Sequence, residues 1–188
     1  KIPAHQPPGA YWYHAHMHGS AERQVGLGLS GALMVDGFAD TVPGLTGIRE
    51  RLLTLKSIDA DDNDNDTVAD EWHGIVQTVN GGLAVAETAQ PNETVLWHVT
   101  NHDANKAVQL VLDGHKFLVV GRDGAAIPAP YETEILRLFP AARFEVLVTA
   151  SQPGVYPLRA LNILTGQGAA MVKNRPLGTL TVAGPPGQ

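Results

Sequence analysis

The feature that most restricts this chain is its punctuation. Short β-rich runs follow one another along the sequence, each cut off by Gly, Pro, Asn or Asp, and a sustained 3.6-residue apolar period is nearly absent. The pattern predicts strands over Tyr11–His18, Leu29–Val35, Glu50–Ile58, Gly74–Val79, Glu93–Thr100, Ala107–Leu112, Lys116–Gly121, Tyr131–Leu138, Phe144–Ala150, Val155–Ala160 and Gly178–Ala183. Such a series reads as an antiparallel sandwich or barrel. Helix is expected only as a short turn around Gly19–Val25 or near Ala39–Gly47. Asp113-Gly114 suits a tight hairpin turn, Asn80-Gly81-Gly82 a second one, and Pro128 and Pro130 mark a loop between strands.

Composition removes several classes of function. No basic patch is dense enough for nucleic acid. The longest apolar run, Val25 to Val35, is interrupted by Gly26, Gly28, Ser30 and Gly31 and is too short to span a bilayer, so no membrane partner is expected. The absence of cysteine excludes thiolate catalysis, disulfide scaffolds and Cys-ligated metals within this chain. The net charge of −6 is local: six acids lie between Asp59 and Asp70, and outside that stretch acidic and basic residues balance. A calcium loop built on Asp62, Asp64 and Asp66 would put Thr67 where Gly is needed and His73 where a bidentate Glu is needed. The stretch is therefore read as a solvated loop.

A boundary falls after Asp36-Gly37. Residues 48–184 hold enough candidate strands for a complete sandwich, whereas residues 1–37 hold two, which cannot bury a core alone. Residues 1–37 are thus expected to be the end of a preceding domain, residues 38–47 a linker and residues 185–188 a tail.

Half of the eight histidines lie between His5 and His18. His14, His16 and His18 are spaced two apart, so on a strand their side chains share one face, about 7 Å apart. Imidazoles so placed reach one metal or two adjacent metals, and copper, zinc and iron all accept them. A solvated polar strand face is the plain alternative. A cupin-type site fits less well, because Glu22 lies too far beyond His16. Metallo-hydrolases with His-x-His-x-Asp-His need Asp where Met17 stands. His98, His102 and His115 are scattered over the sandwich and read as solvated or singly bonded. Tyr11, Trp12 and Tyr13 read as core packing.

The run Pro7-Pro8-Gly9-Ala10-Tyr11-Trp12-Tyr13-His14-Ala15-His16 resembles the second copper motif of multicopper oxidases, the laccase-like enzymes. The continuation His18-Gly19, Arg23-Gln24, Gly28-Leu29, Gly31 and Val35-Asp36 is similar to the bacterial three-domain branch that includes cuprous oxidases. Val79-Asn80-Gly81, Val95–Asn101, Leu110–Gly114, Asp123-Gly124, Pro128–Pro130 and Ala142–Val148 resemble the middle domain of the same enzymes, so the likeness covers nearly the whole chain in order.

The resemblance implies an all-β chain: a copper-free, cupredoxin-like Greek-key sandwich over 48–184, preceded by the terminal strands of a first cupredoxin domain. It implies that His14 and His16 are type 3 copper ligands of a trinuclear cluster, with His18 hydrogen-bonding nearby rather than ligating. It also implies a full-length oxidase that passes electrons from phenols, aromatic amines or metal ions such as Cu(I) to O2, in the periplasm or outside the cell. The other copper motifs and the Cys-containing type 1 site are not in this sequence. The chain alone is therefore expected to be inactive and to need the missing first- and third-domain segments or a partner chain. Two alternatives compete: a non-enzymatic scaffold of the same family, and a mononuclear cupin-type metalloprotein.

Overall fold

The computed structural model describes residues 2–59, 75–150, 152–161, 163 and 174–185. Most of the acidic stretch, with His73 and Gly74, lies outside the described residues.

The first two strands stand apart from the rest. β1 (Gly9–His14) and β2 (Ser30–Val35) pair antiparallel, Gly9 opposite Val35 and His14 opposite Ser30, and a short helix, α1 (Ala21–Gly26), lies in their connection. A second short helix, α2 (Phe38–Thr41), leads into the sandwich. There the strands are β3 (Arg49–Asp59), β4 (Ile75–Val79), β5 (Val85–Ala89), β6 (Thr94–Asn101), β7 (Val108–Leu112) and β8 (Phe117–Arg122). They continue as β9 (Ala125–Thr133), β10 (Leu136–Leu138), β11 (Arg143–Thr149), β12 (Gly154–Leu161) and β13 (Arg175–Val182). One sheet has the order β4-β3-β6-β11-β8-β9 and the other β10-β7-β12-β13-β5. Neighbours are antiparallel except β3 with β6 and β13 with β5.

Alternation explains how the sheets stack. Val95, Trp97 and Val99 of β6 and Phe144, Val146 and Val148 of β11 point inward, where they meet Leu110, Leu112, Leu158, Leu177 and Leu180 from the facing sheet. The opposite face of β6 and β11 is covered as well. Leu96 and Val120 lie under Phe38 and Ala39, with Val42, Leu45 and Ile48 alongside. The segment between hairpin and sandwich therefore caps the six-stranded sheet. A strand covered on both faces reads as a nearly continuous buried run, as β6 does.

Both expected helical turns form, and most strands fall where the pattern puts them. The departures have local causes. The strand expected over Tyr11–His18 ends at His14: the Ala15 N–H still bonds the Leu29 carbonyl, and a turn then closes from Met17 to Ser20. Tyr131–Leu138 is two strands, because the chain leaves one sheet after Thr133 and enters the other at Leu136. Pro128 and Pro130 lie inside β9, an edge strand, at the register irregularity where no ladder hydrogen bond is lost. Asp113-Gly114 turns tightly with Gly114 at φ 71°, yet β7 and β8 belong to different sheets and form no hairpin. The expected turn at Asn80-Gly81 forms between Val79 and Gly82, and a further two-residue turn, Asp123-Gly124, both at positive φ, joins β8 to β9.

Candidate metal centre

β1 presents Ala10, Trp12 and His14 on one face by simple alternation. Backbone polarity ties that face to the sandwich. The Ala10 N–H donates to Glu145 Oε1 at 3.2 Å, and Arg143 Nε donates to the Ala10 carbonyl at 3.1 Å. Lys56 Nζ donates to the carbonyls of Gly28 and Ser30 at 2.6 and 3.2 Å. Burial, partly offset by the charge of Asp103, holds the Lys56 ammonium below its ordinary pKa. Tyr11 lies against Gly124, where an added Cβ would come within 2.9 Å of its ring, so the sandwich hairpin fits under β1 only with glycine there.

The three sequence-predicted histidines are brought close in series. The rings of His14 and His16 are 5.5 Å apart between centroids, as are those of His16 and His18. His14 is half-buried, and His16 and His18 are exposed beyond the strand end. The strand-face argument for all three fails, because only His14 is on a strand; proximity comes from the loop that follows. His14 Nδ1 lies 2.9 Å from the Ala15 carbonyl. A carbonyl only accepts, so Nδ1 carries the proton and Nε2 keeps a lone pair open to a metal. The donor set thus fits copper at two imidazoles. Among the described residues no group of three or more His, Asp or Glu could hold a metal ion.

Sequence reasoning misjudged the aromatics and His102, while His98 is singly bonded as expected. Tyr13 is 63% exposed, and its ring lies across Gly31 on the paired strand instead of in a core. Trp12 stacks with two imidazoles, its ring centroid 4.2 Å from that of His14 and 5.6 Å from that of His102. His102 is fully buried rather than solvated. Burial, with the charges of Lys56 and Arg143, pushes its pKa down to about 4, so the ring is neutral at pH 7. His98 is buried on the outer face of β6, where Nε2 donates to Glu50 Oε2 at 2.7 Å. Its Nδ1 stands 3.9 Å from Glu145 Oε1, beyond hydrogen-bond reach. Burial lowers its pKa, but the two carboxylates, Glu145 and Glu50, raise it by more. Glu145 thus ties β11 to the hairpin backbone and sets its charge beside His98. The one sequence signal for it was a charged residue in an otherwise apolar strand.

The family model for multicopper oxidases matches residues 58–184. The chain belongs to the multicopper oxidase family. The multicopper oxidase MmcO of Mycobacterium tuberculosis is 36% identical over 86 residues, 44% of this chain and 17% of MmcO. Among solved structures, a laccase-like multicopper oxidase, CueO, from the lignin-degrading bacterium Ochrobactrum sp. is 26% identical with a TM-score of 0.74, covering 95% of this chain and 41% of its own. A multicopper oxidase from Pseudomonas thermotolerans is 25% identical with a TM-score of 0.71, covering 97% and 43%. This multicopper oxidase chain thus spans less than half the length of these relatives. The sandwich is of the cupredoxin-like kind expected from the sequence.

Proposed function

We propose that this chain is the part of a multicopper oxidase that supplies two type 3 copper ligands, His14 and His16, together with the copper-free central domain. The observation that carries the reading is the His14–His16 pair directly after an aromatic strand, with the His14 tautomer set by the Ala15 carbonyl. Residues 1–37 belong on this reading to the end of a first cupredoxin domain, which agrees with their forming a sheet of their own. Copper held there supplies one-electron cycling, so that the full enzyme delivers four electrons from its reducing substrate, with four protons, to O2 and forms two waters.

The chain's own residues do the holding. The Ala15 carbonyl fixes the His14 proton on Nδ1. Glu145 and Arg143 clamp the backbone of Ala10, four residues before the ligand, so the strand cannot slide on the sandwich. Lys56 pins the far strand of the hairpin. His18, whose ring lies beside that of His16, serves on this reading as a neighbour of the ligands rather than a ligand. The remaining cluster ligands and the type 1 site come from first- and third-domain segments or a partner chain, so the 188 residues alone turn over no phenol. The reducing substrate is a phenol, an aromatic amine or a metal ion such as Cu(I), and the protein works in the periplasm or outside the cell. No helix among the described residues is long and apolar enough to cross a membrane.

His14→Ala or His16→Ala in the full-length oxidase is expected to abolish O2 reduction while leaving the blue type 1 absorbance. Normal turnover in either variant refutes the assignment, as does steady O2 consumption by the copper-loaded chain alone.

A further inference from the structure

Trp12 stacks with two imidazoles that come from different parts of the chain. Its plane is 19° from that of His14 and 20° from that of His102, so each imidazole stacks on the indole. His14 is carried by the hairpin, whereas His102 directly follows β6 of the sandwich. The His102 backbone is held on both sides: its N–H donates to the Leu55 carbonyl at 2.8 Å, and its carbonyl accepts from Ser30 Oγ at 3.4 Å. On either side Asn101 donates to the Lys106 and Leu138 carbonyls, and Asp103 accepts from the N–H and hydroxyl of Ser57.

The His102 ring itself is 0% exposed, and among the described residues neither nitrogen has a hydrogen-bond partner. A buried polar ring without partners is costly, and an apolar residue would avoid that cost. What His102 offers is a rigid, flat face against Trp12. The Ala15 carbonyl fixes the His14 tautomer but leaves the ring free to tilt about that single bond. A stacked indole removes the tilt.

We propose that Trp12 and His102 are positioning residues for His14: the three-ring stack fixes the plane of the His14 imidazole, so the copper-free sandwich orients a ligand carried by the hairpin. The role rests on the reading of His14 as a copper ligand. Partners that orient a ligand imidazole typically carry tenfold to a hundredfold in metal affinity.

The test uses the full-length oxidase, first depleted of copper. With histidine and tryptophan labelled, NMR is expected to show contacts from the Trp12 indole to both rings, and the His14 Cε1–H signal shifted upfield by the indole. Trp12→Leu should lose that shift and weaken copper binding at the His14 site about tenfold to a hundredfold, measured against a Cu(I) chelator. Trp12→Phe and His102→Phe, which keep a flat ring, should retain both shift and affinity, and His102→Ala should lose part of each. Absence of the Trp12 contacts in the unmodified apo-protein overturns the proposal without any variant. So does wild-type copper affinity in a folded Trp12→Leu, or equal losses in Trp12→Leu and Trp12→Phe. Full copper content in His14→Ala overturns the ligand reading instead, and it does so with the Trp12–His102 contacts intact.

Discussion

Phe38 and Gly121 meet on the outer face of the six-stranded sheet, and their contact permits a quantitative test of how the segment that caps this sheet is seated. Phe38 is 1% exposed, packs on Leu96 and Val120, and sets its ring edge against His98 at 6.0 Å. Phe→Ala at a buried site costs roughly 3–5 kcal/mol. The lower end, about 3 kcal/mol, applies here, because the surrounding cap can settle inward onto the sheet. An alanine Cβ at Gly121 would stand 2.5 Å from Phe38 Cζ and 2.9 Å from Glu145 Oε2, so Gly121→Ala overpacks the same spot, at about 1–3 kcal/mol. Removing the ring vacates the space the new methyl needs, while the clash with Glu145 stays. The double variant should therefore be less destabilised than the two single effects summed, by about 1–2 kcal/mol, within the range measured for residues in contact. Urea denaturation followed by the fluorescence of the core Trp97 gives the three values. Additivity within about 0.5 kcal/mol refutes the packing argument.

Two further predictions concern the sandwich. Asp103 and His102 are neighbours displaced in opposite senses. Burial, only partly offset by the Ser57 hydrogen bonds and by Lys106 and Lys56, lifts Asp103 from 3.8 to about 6, so the stability it contributes is full below 3.8 and lost as pH rises through 6. His102, lowered from 6.5 to about 4, contributes stability that is full above 6.5 and lost as pH falls through 4. Between pH 4 and 6 the two slopes oppose. Asp103→Asn should leave a stability that climbs with pH across this window and His102→Phe one that falls, each by about 3 kcal/mol at roughly 1.4 kcal/mol per pH unit; melts that slope the same way in both variants contradict this. Gly178→Ala should prevent β5 from pairing with β13, since φ is +145° and the new Cβ would stand 2.0 Å from the Val85 carbonyl oxygen. Retained amide protection across Val85–Ala89 would refute it.

The strands with strong alternation or β-branched content, such as β6 and β11, were legible because pattern and burial agree in them. β5, Val-Ala-Glu-Thr-Ala, was not: Ala86, Glu87 and Ala89 have weak strand preference, and it exists because β13 pairs with it across a long sequence gap. The split after Thr133 was equally hidden, since a change of sheet leaves the alternation of each piece unaltered. At the candidate site, the motif pointed to His14 and His16. Nothing local marked His102, a lone histidine after a strand, because its role depends on a tryptophan ninety positions earlier in the chain. His98 is singly bonded, as it read, but its partner Glu50 and the neighbouring charge of Glu145 reach it only through strand register.

The position of the last strand sets an order on biosynthesis. All ladder partners of the six-stranded sheet, on which the histidine-bearing hairpin sits, have been made once Thr149 has left the ribosome. The other layer is different: among the described residues β5 has β13 as its one neighbour, and β13 also flanks β12. A nascent chain therefore carries β5 as an unpaired edge until Val182 emerges, and the shared interior of the two layers stays open to water for the same interval. An open interior of this kind is what a holdase chaperone binds, so arrested nascent chains ending short of Arg175 should retain such a chaperone and those extending past Val182 should release it.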